Sequence, residues 1–208
     1  INRERQDTWV WDDTGPARLE FQQLLATVKQ KVKGTQAHTP SELPPLPKKR
    51  RPRLLFLCQG NICRSSYAEK KARQLIEHAR LKVDIDSAGM LPRNPRPAPL
   101  VAQDAARQMG VDLSAHTSKH AYEPLLRHSD WIVIFDDINR QAVIERYPDL
   151  ENRLVYLGDF ESAADKLIPD PDGKSLDTFL RTYRRIDACL PPLLQQAHQA
   201  SSERDSAC

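Results

Sequence analysis

Residues 53–75 read RLLFLCQGNICRSSYAEKKARQL, and their pattern predicts the fold of the chain around them. The stretch opens with a short apolar run, continues through a small polar loop at residues 58–65, and ends in a segment rich in Ala, Glu and Lys. This order predicts a buried strand, a tight turn and a helix. A strand that leads directly into a helix N-terminus directs backbone N–H groups at one point, and such a point is suited to an anion.

The predicted turn carries a thiol and a guanidinium at a defined spacing. Gly60 and Asn61 can adopt positive φ, which would let the loop curl around a tetrahedral dianion. Cys58 ends the strand and Arg64 follows six positions later, so a closed loop brings both side chains to the same anion. A guanidinium is a planar fork that binds two phosphate oxygens at once. The loop amides and the helix dipole favour a Cys58 thiolate, which predicts a nucleophile to which Ser65 donates a hydrogen bond.

The run Cys-Gln-Gly-Asn-Ile-Cys-Arg-Ser at residues 58–65 resembles the signature of the low-molecular-weight protein tyrosine phosphatases. The resemblance implies a phosphatase that acts on phosphotyrosine in proteins through a cysteinyl-phosphate, with Cys58 as the nucleophile and Arg64 as the phosphate clamp. We expect such an enzyme to need no cofactor and no metal. The remaining loop residues would bind the substrate phosphate, namely Gln59, Gly60, Asn61, Ile62, Cys63 and Ser65.

A second motif would supply the acid and base of such a reaction. Phosphoryl transfer from a phenolic ester needs an acid to protonate the leaving oxygen and then a base to activate water. The chain has one Asp-Pro dipeptide, Asp170-Pro171, between the last predicted strand and the last predicted helix. The resemblance assigns both roles to Asp170. The alternative is that the dipeptide only starts a turn, as Asp and Pro often do.

Strand and helix patterns alternate from residue 53 onward, which predicts an α/β fold with a doubly wound four-stranded parallel sheet flanked by helices. Pro191-Pro192 is expected to kink or break the last helix. By resemblance, His116 and Asp136 would form a buried supporting pair beneath the loop; the alternative is that His116 is a lone structural histidine. The predicted strands are 53–57, 83–89, 131–135 and 153–157, and the predicted helices are 64–79, 100–109, 118–127, 136–147 and 175–200.

The domain organisation follows from changes in composition. We predict a phosphatase domain at residues 53–197 and a flexible tail at residues 198–208. Residues 1–38 form an N-terminal extension with one amphipathic helix, which is expected to contact another domain or protein. Residues 39–52 form a Pro-rich basic linker, whose composition would also fit an SH3-type ligand, a nuclear localisation run or an acidic docking site. The sheet is expected to need nothing upstream of residue 53 to close its core.

Composition also limits the partners and the compartment. The chain has no apolar run of about 18 residues and no signal-peptide pattern, so we expect no membrane contact. Residues 1–52 carry ten Lys and Arg against six Asp and Glu, so the basic excess belongs to the extension and no nucleic acid partner is expected. Four cysteines match neither a disulfide framework nor a zinc site. We expect a cytoplasmic enzyme whose substrate is a phosphorylated protein, such as a tyrosine kinase.

Two segments of the sequence depart from the family pattern, and the identity of the substrate is therefore not decided. Family members that favour phosphotyrosine usually carry aromatic residues just after the Asp-Pro and shortly after the Ser-Ala-Gly run, which is residues 87–89 here. Here these places hold Asp172-Gly173 and Met90-Leu91-Pro92, and Ser66 stands where the family commonly has Pro. An arginine phosphatase or a small phosphate-ester phosphatase of the same fold therefore remains an alternative, and so does a non-catalytic phosphate-binding scaffold. Arginine phosphatases typically carry Thr where this loop has Ile62. The branched apolar side chain of Ile62 favours an oxygen ester as substrate.

Overall fold

The computed structural model describes residues 43–44, 51–92, 95–161 and 165–202. The predicted N-terminal helix, most of the linker and the last residues of the chain lie outside this part. Within it, four strands alternate with five α-helices, and short 3₁₀ helices at Pro148–Arg153 and Leu157–Phe160 flank the last strand. The strands and helices are β1 (Arg53–Cys58), α1 (Arg64–Ala79), β2 (Asp84–Gly89), α2 (Leu100–Gln108), α3 (Glu123–His128), β3 (Trp131–Ile134), α4 (Asp137–Ile144), β4 (Leu154–Tyr156) and α5 (Leu176–Ser202).

The four strands form one parallel sheet in the order β2-β1-β3-β4. In the register of β1, Leu54 lies opposite Ile85 on one side and Trp131 on the other, and Cys58 lies opposite Gly89. Parallel pairing brings the carboxyl ends of β1, β2 and β3 to one edge of the sheet, which is where ligands bind in folds of this kind. The predicted fold class is confirmed.

Side chains of the central strand are buried on both faces of the sheet. Leu54, Phe56 and Cys58 belong to one core, which α1, α2 and α5 cover. Leu55 and Leu57 belong to a second core, which includes residues of α3 and α4. This alternation explains why the sequence of β1 is continuously apolar, since each successive side chain enters a core on the opposite face.

The predicted helix at residues 118–127 begins only at Glu123, and the residues before it are extended. Their backbone has other partners: the Lys119 N–H donates to Asn61 Oδ1 at 3.0 Å, and the Lys119 carbonyl accepts from the Gly89 N–H at 2.9 Å. The Ala121 N–H donates to the Gly89 carbonyl at 2.8 Å. These tertiary bonds, which join the segment to the end of β2 and to the loop, override the local helical pattern.

The last helix also differs from its prediction. Pro191 and Pro192 lie inside α5, and the expected break does not occur. Each proline lacks an N–H and crowds the preceding turn, but the buried side chains of Leu190, Leu193 and Leu194 hold this part of the helix against the sheet. The helix continues past residue 197 to Ser202.

A short segment upstream of β1 contributes to the core. Leu43 packs against the core beneath α1, α2 and α5, and the indole N–H of buried Trp131 donates to the Pro44 carbonyl at 2.9 Å. Nothing in the sequence indicated this contact, because the segment was interpreted as a linker. It lies at the amino end of β3, opposite the edge that holds Cys58. None of the described helices has the length and apolar character needed to cross a bilayer.

We predict that a chain beginning at Lys48 folds but is less stable than one beginning at Ser41. Loss of the Pro44 carbonyl leaves a buried indole donor without its partner, which costs about 1–3 kcal/mol. Thermal unfolding of both chains, with and without Trp131→Phe, checks this. The phenylalanine removes the donor and keeps most of the packing, so the cost of truncation should shrink in that background. An equal cost in both backgrounds would show that the hydrogen bond contributes nothing.

Candidate active site

The loop at residues 59–63 joins β1 to α1 at the carboxyl edge of the sheet. Of the two residues expected to allow positive φ, only Asn61 adopts it, with φ of 53°. A Cβ atom at Gly60 would lie 3.2 Å from the Arg96 guanidinium and 3.3 Å from the Ile62 side chain, so these side chains would have to shift slightly. Helix α1 begins at Arg64, so its N-terminus faces the loop.

Cys58 is buried, and its sulfur lies among hydrogen-bond donors. The Asn61 N–H donates to Cys58 Sγ at 3.3 Å, and Ser65 Oγ lies 3.0 Å from the same sulfur. A thiolate can only accept, so Ser65 is the donor whenever the sulfur is charged. The geometry matches the predicted hydrogen bond between Ser65 and Cys58.

Arg64 joins three segments of the chain. Its side chain is 1% exposed and lies over the Phe135 ring, 5.5 Å from the centroid. One terminal nitrogen donates to Asp136 and to the Ile168 carbonyl, the latter at 2.9 Å, and the other donates to Asp170 at 2.7 Å. Its Nε–H is buried and has no hydrogen-bond partner among the described residues. One donor of the fork is therefore available to a ligand.

The charges around Arg64 keep it protonated. Burial lowers the pKa of Arg64, but the opposing charges of Cys58, Asp170 and Asp136 outweigh burial, so that its pKa lies above the ordinary value. For Cys63, burial and then the carboxylates of Asp172 and Asp170 raise the pKa well above that of a free thiol. Cys63 Sγ is directed at Asp172 Oδ1, 3.9 Å away. Cys63 therefore remains a neutral thiol at neutral pH.

Asp170 reaches the site from the segment between β4 and α5. Its carboxylate is 40% exposed and binds Arg64 with one oxygen, while the other accepts the Asp172 N–H at 3.2 Å. The Asp-Pro dipeptide thus organises a turn and also directs a carboxylate into the cleft that contains Cys58. This geometry fits both the acid and the turn interpretation of the motif, and the choice between them stays a prediction.

Buried hydrogen bonds hold the loop from below, and Asn61 is their centre. Its side-chain amide donates to Ser65 Oγ and Ser87 Oγ, each at 2.9 Å, and Ser87 donates to Glu69 at 2.5 Å. The Asn61 carbonyl lies 2.6 Å from His116 Nε2. Because a carbonyl only accepts, this nitrogen carries the proton. Burial lowers the pKa of His116, so its ring stays neutral at pH 7.

The expected pair of His116 and Asp136 takes a different form. Each supports the loop from its own side: His116 bonds to Asn61, whereas Asp136 bonds to Arg64 and caps α4 by accepting the Asn139 N–H at 2.8 Å. Ser87 and Glu69 were not predicted as supports of the loop. The Ser-Ala-Gly run contains Ser87 and was the available signal for it.

A cleft of about 170 Å³ opens above the loop. The predicted substrate-binding residues divide into two groups, since Asn61 and Ser65 lie buried beneath the cleft and the other four line it. Leu91 and Asp172 line the cleft at the two places where the sequence lacks the aromatic residues of the family pattern. No aromatic side chain lines the cleft in the part of the chain that the structure describes. The lining consists of Cys58, Gln59, Gly60, Ile62, Cys63, Leu91, Arg96, Asp170 and Asp172.

Comparison with known proteins identifies the family. Residues 53–203 match the low molecular weight phosphotyrosine protein phosphatase family, and the chain belongs to it. The probable low molecular weight protein-tyrosine-phosphatase EpsP of Ralstonia nicotianae is 30% identical over 142 residues, which cover 66% of this chain and 93% of that protein. A protein-arginine-phosphatase of Geobacillus stearothermophilus is 25% identical over 148 residues, which cover 69% of this chain and 95% of that protein.

The solved structures agree with this assignment. The crystal structure of a low molecular weight phosphotyrosine phosphatase from Vibrio cholerae superimposes with a TM-score of 0.64 at 25% identity, and covers 75% of this chain and 99% of that one. The resemblance drawn from residues 58–65 is therefore confirmed, and the protein is a phosphatase.

We predict that Gly89→Ala damages catalysis more than stability. A Cβ atom at Gly89 would lie 2.8 Å from the Asn61 nitrogen and the Gly60 carbonyl carbon, so the phosphate loop would have to move. A displacement of about 1 Å at such a site costs on the order of 10²-fold in kcat/KM, which p-nitrophenyl phosphate hydrolysis measures.

Gly110→Ala is the matched control for this prediction. Gly110 has φ of 74° and open space around its Cα, so alanine there strains the backbone by about 1–2 kcal/mol without touching the loop. Its melting temperature should fall while its kcat/KM stays near wild type. Equal catalytic losses in both variants would mean that general destabilisation, and not loop geometry, limits the rate.

Proposed function

We propose that the protein hydrolyses phosphotyrosine in proteins, with Cys58 as nucleophile, Arg64 as phosphate clamp and Asp170 as general acid and base. The observation that carries the proposal is the convergence of these three side chains on one cleft: Cys58 and Asp170 line it, and Arg64 lies directly beneath and binds Asp170. Binding of an anion alone would require neither a nucleophile nor an acid, so the set argues against a phosphate-binding scaffold.

In the first step the Cys58 thiolate attacks phosphorus and the bond to the phenolic oxygen breaks. Asp170 gives its proton to that leaving oxygen, which departs as a neutral phenol. The loop amides, the N-terminus of α1 and the free Nε–H of Arg64 stabilise the negative charge on the phosphoryl oxygens. Because these groups are already in place, they need little rearrangement during the reaction.

In the second step the cysteinyl-phosphate is hydrolysed. Asp170, now a carboxylate, takes a proton from water, and the resulting hydroxide attacks phosphorus as the sulfur–phosphorus bond breaks. The Cys58 thiolate leaves with both bonding electrons. Ser65 Oγ, 3.0 Å from the sulfur, stabilises this charge by donating its hydrogen bond. Inorganic phosphate departs and the enzyme returns to its starting state.

Phosphoarginine is the second candidate substrate. The similarity to a protein-arginine-phosphatase and the absence of an aromatic wall among the described lining residues both support it. The apolar Ile62 side chain in the cleft favours phosphotyrosine. Matched peptides that carry either phosphotyrosine or phosphoarginine at one position separate the two, because the preferred one has the larger kcat/KM.

The free thiols of the protein bear on its cellular compartment. Cys58, Cys63 and Cys189 are all free, and a reactive thiolate works only where thiols stay reduced, which supports the cytoplasm. The substrate is a phosphorylated protein, for which a tyrosine kinase is one candidate. The N-terminal extension is proposed to contact another domain or protein.

We predict that Cys58→Ser abolishes turnover of p-nitrophenyl phosphate while leaving phosphate binding largely intact, because only the nucleophile is lost. Stopped-assay turnover and calorimetric titration with inorganic phosphate measure the two properties. Arg64→Lys should impair both, since one ammonium cannot replace the planar fork. Cys58→Ser activity within about tenfold of wild type would contradict the covalent mechanism.

We predict that Asp170→Asn slows turnover by about 10²–10⁴-fold for esters with poor leaving groups and by less for good ones. An amide cannot donate the proton, and a good leaving group needs it least. A series of aryl phosphates of increasing phenol basicity measures the trend. Asp172→Asn is the control, because it removes a neighbouring carboxylate that does not bind Arg64. A uniform loss across the series would assign Asp170 a structural role only.

A further inference from the structure

Arg96 is a cation in the wall of the cleft that the proposed mechanism does not use. Its guanidinium lies beside the phosphate loop, 3.2 Å from the position that a Cβ atom of Gly60 would take. Leu91 lines the same cleft, while Asp170 and Asp172 add carboxylates. The cleft therefore carries charges of both signs and no aromatic wall among the described lining residues.

The guanidinium of Arg96 is incompletely satisfied by the protein. Its Nε–H is buried and has no hydrogen-bond partner among the residues that the structure describes. The two carboxylates of the cleft have other partners, since Asp170 binds Arg64 and Asp172 faces Cys63. Neither carboxylate is bonded to Arg96, so its positive charge at the cleft wall is available to an anion that arrives with the substrate.

The backbone around Arg96 is fixed to the support of the phosphate loop. The Arg96 N–H donates to Ser118 Oγ at 3.0 Å, and the Ser118 N–H donates back to the Arg96 carbonyl at 2.9 Å. Pro97 and Thr117 form an antiparallel bridge beside them. The next residue, Lys119, donates its N–H to the Asn61 side chain. Arg96 is thus attached to the segment that positions the loop.

We propose that Arg96 binds the carboxylate of an acidic residue next to the phosphotyrosine and so selects acidic phosphopeptides. This inference rests on the proposed function, because it concerns the part of the substrate outside the scissile phosphate. A guanidinium that presents several donors in one plane pairs with a carboxylate through two hydrogen bonds. Recognition by charge takes the place of the aromatic contacts to the phenol ring.

The test compares three substrates: p-nitrophenyl phosphate, a phosphotyrosine peptide flanked by glutamates, and the same peptide flanked by glutamines. Arg96→Gln should lower kcat/KM for the glutamate peptide about tenfold, the value of one charge-assisted hydrogen bond, and leave the other two substrates within about twofold. Arg96→Lys should recover part of the preference at low salt and lose it as salt rises, because a single ammonium is screened more easily.

Arg184→Gln is the matched control, since Arg184 is an exposed arginine on α5 outside the cleft. It should leave the glutamate preference unchanged. Wild type that hydrolyses both peptides equally, or an Arg96→Gln variant that loses both equally, would overturn the proposal. An equal loss on p-nitrophenyl phosphate would place Arg96 on the scissile phosphate and would also overturn it. Failure of the proposed function is distinguishable, because wild type would then hydrolyse neither phosphotyrosine peptide.

Discussion

The buried guanidinium of Arg64 is the constraint on which the site depends. A charge that is 1% exposed must be compensated inside the protein, and its partners come from two segments: Asp136 after β3, and Ile168 and Asp170 before α5. The residue that would hold the phosphate thereby also holds together the loops that surround it. Loss of this one side chain would leave the carboxylates of Asp136 and Asp170 without the cation that they share.

The other end of the phosphate loop has a neutral support. Asn61 takes a positive φ and exchanges hydrogen bonds with Ser65, Ser87, His116 and Lys119, all from segments packed beneath the loop. Uncharged partners fix the loop without neutralising the anion that it is to bind. Since His116 donates as a neutral ring, its hydrogen bond to Asn61 does not depend on a charge at pH 7.

Residues 58–65 and the Asp-Pro dipeptide could be recognised from sequence because each motif is contiguous, and a strand, turn and helix in succession leave few alternatives for where Cys58 and Arg64 lie. The position of Arg96 in the cleft wall could not be recognised in this way, because it depends on hydrogen bonds between its backbone and Ser118. The sequence pattern of residues 118–122 predicts a helix, but their backbone groups bond to the loop and to β2 instead. Alternating apolar runs reveal the sheet, whereas long-range polar contacts leave no periodic signal.

The contact between Arg64 and Asp170 links substrate binding to acid catalysis in the proposed reaction. Without phosphate, Asp170 neutralises the arginine and lies 2.7 Å from it. A phosphate dianion in the loop would compete for the same guanidinium and place negative charge beside the carboxylate. In the proposed reaction Asp170 then gives its proton to the leaving oxygen. Once the phenol departs and Asp170 is ionised, it is ready to accept a proton from water. The same pair of side chains thus serves the empty site, the attack and the hydrolysis in turn.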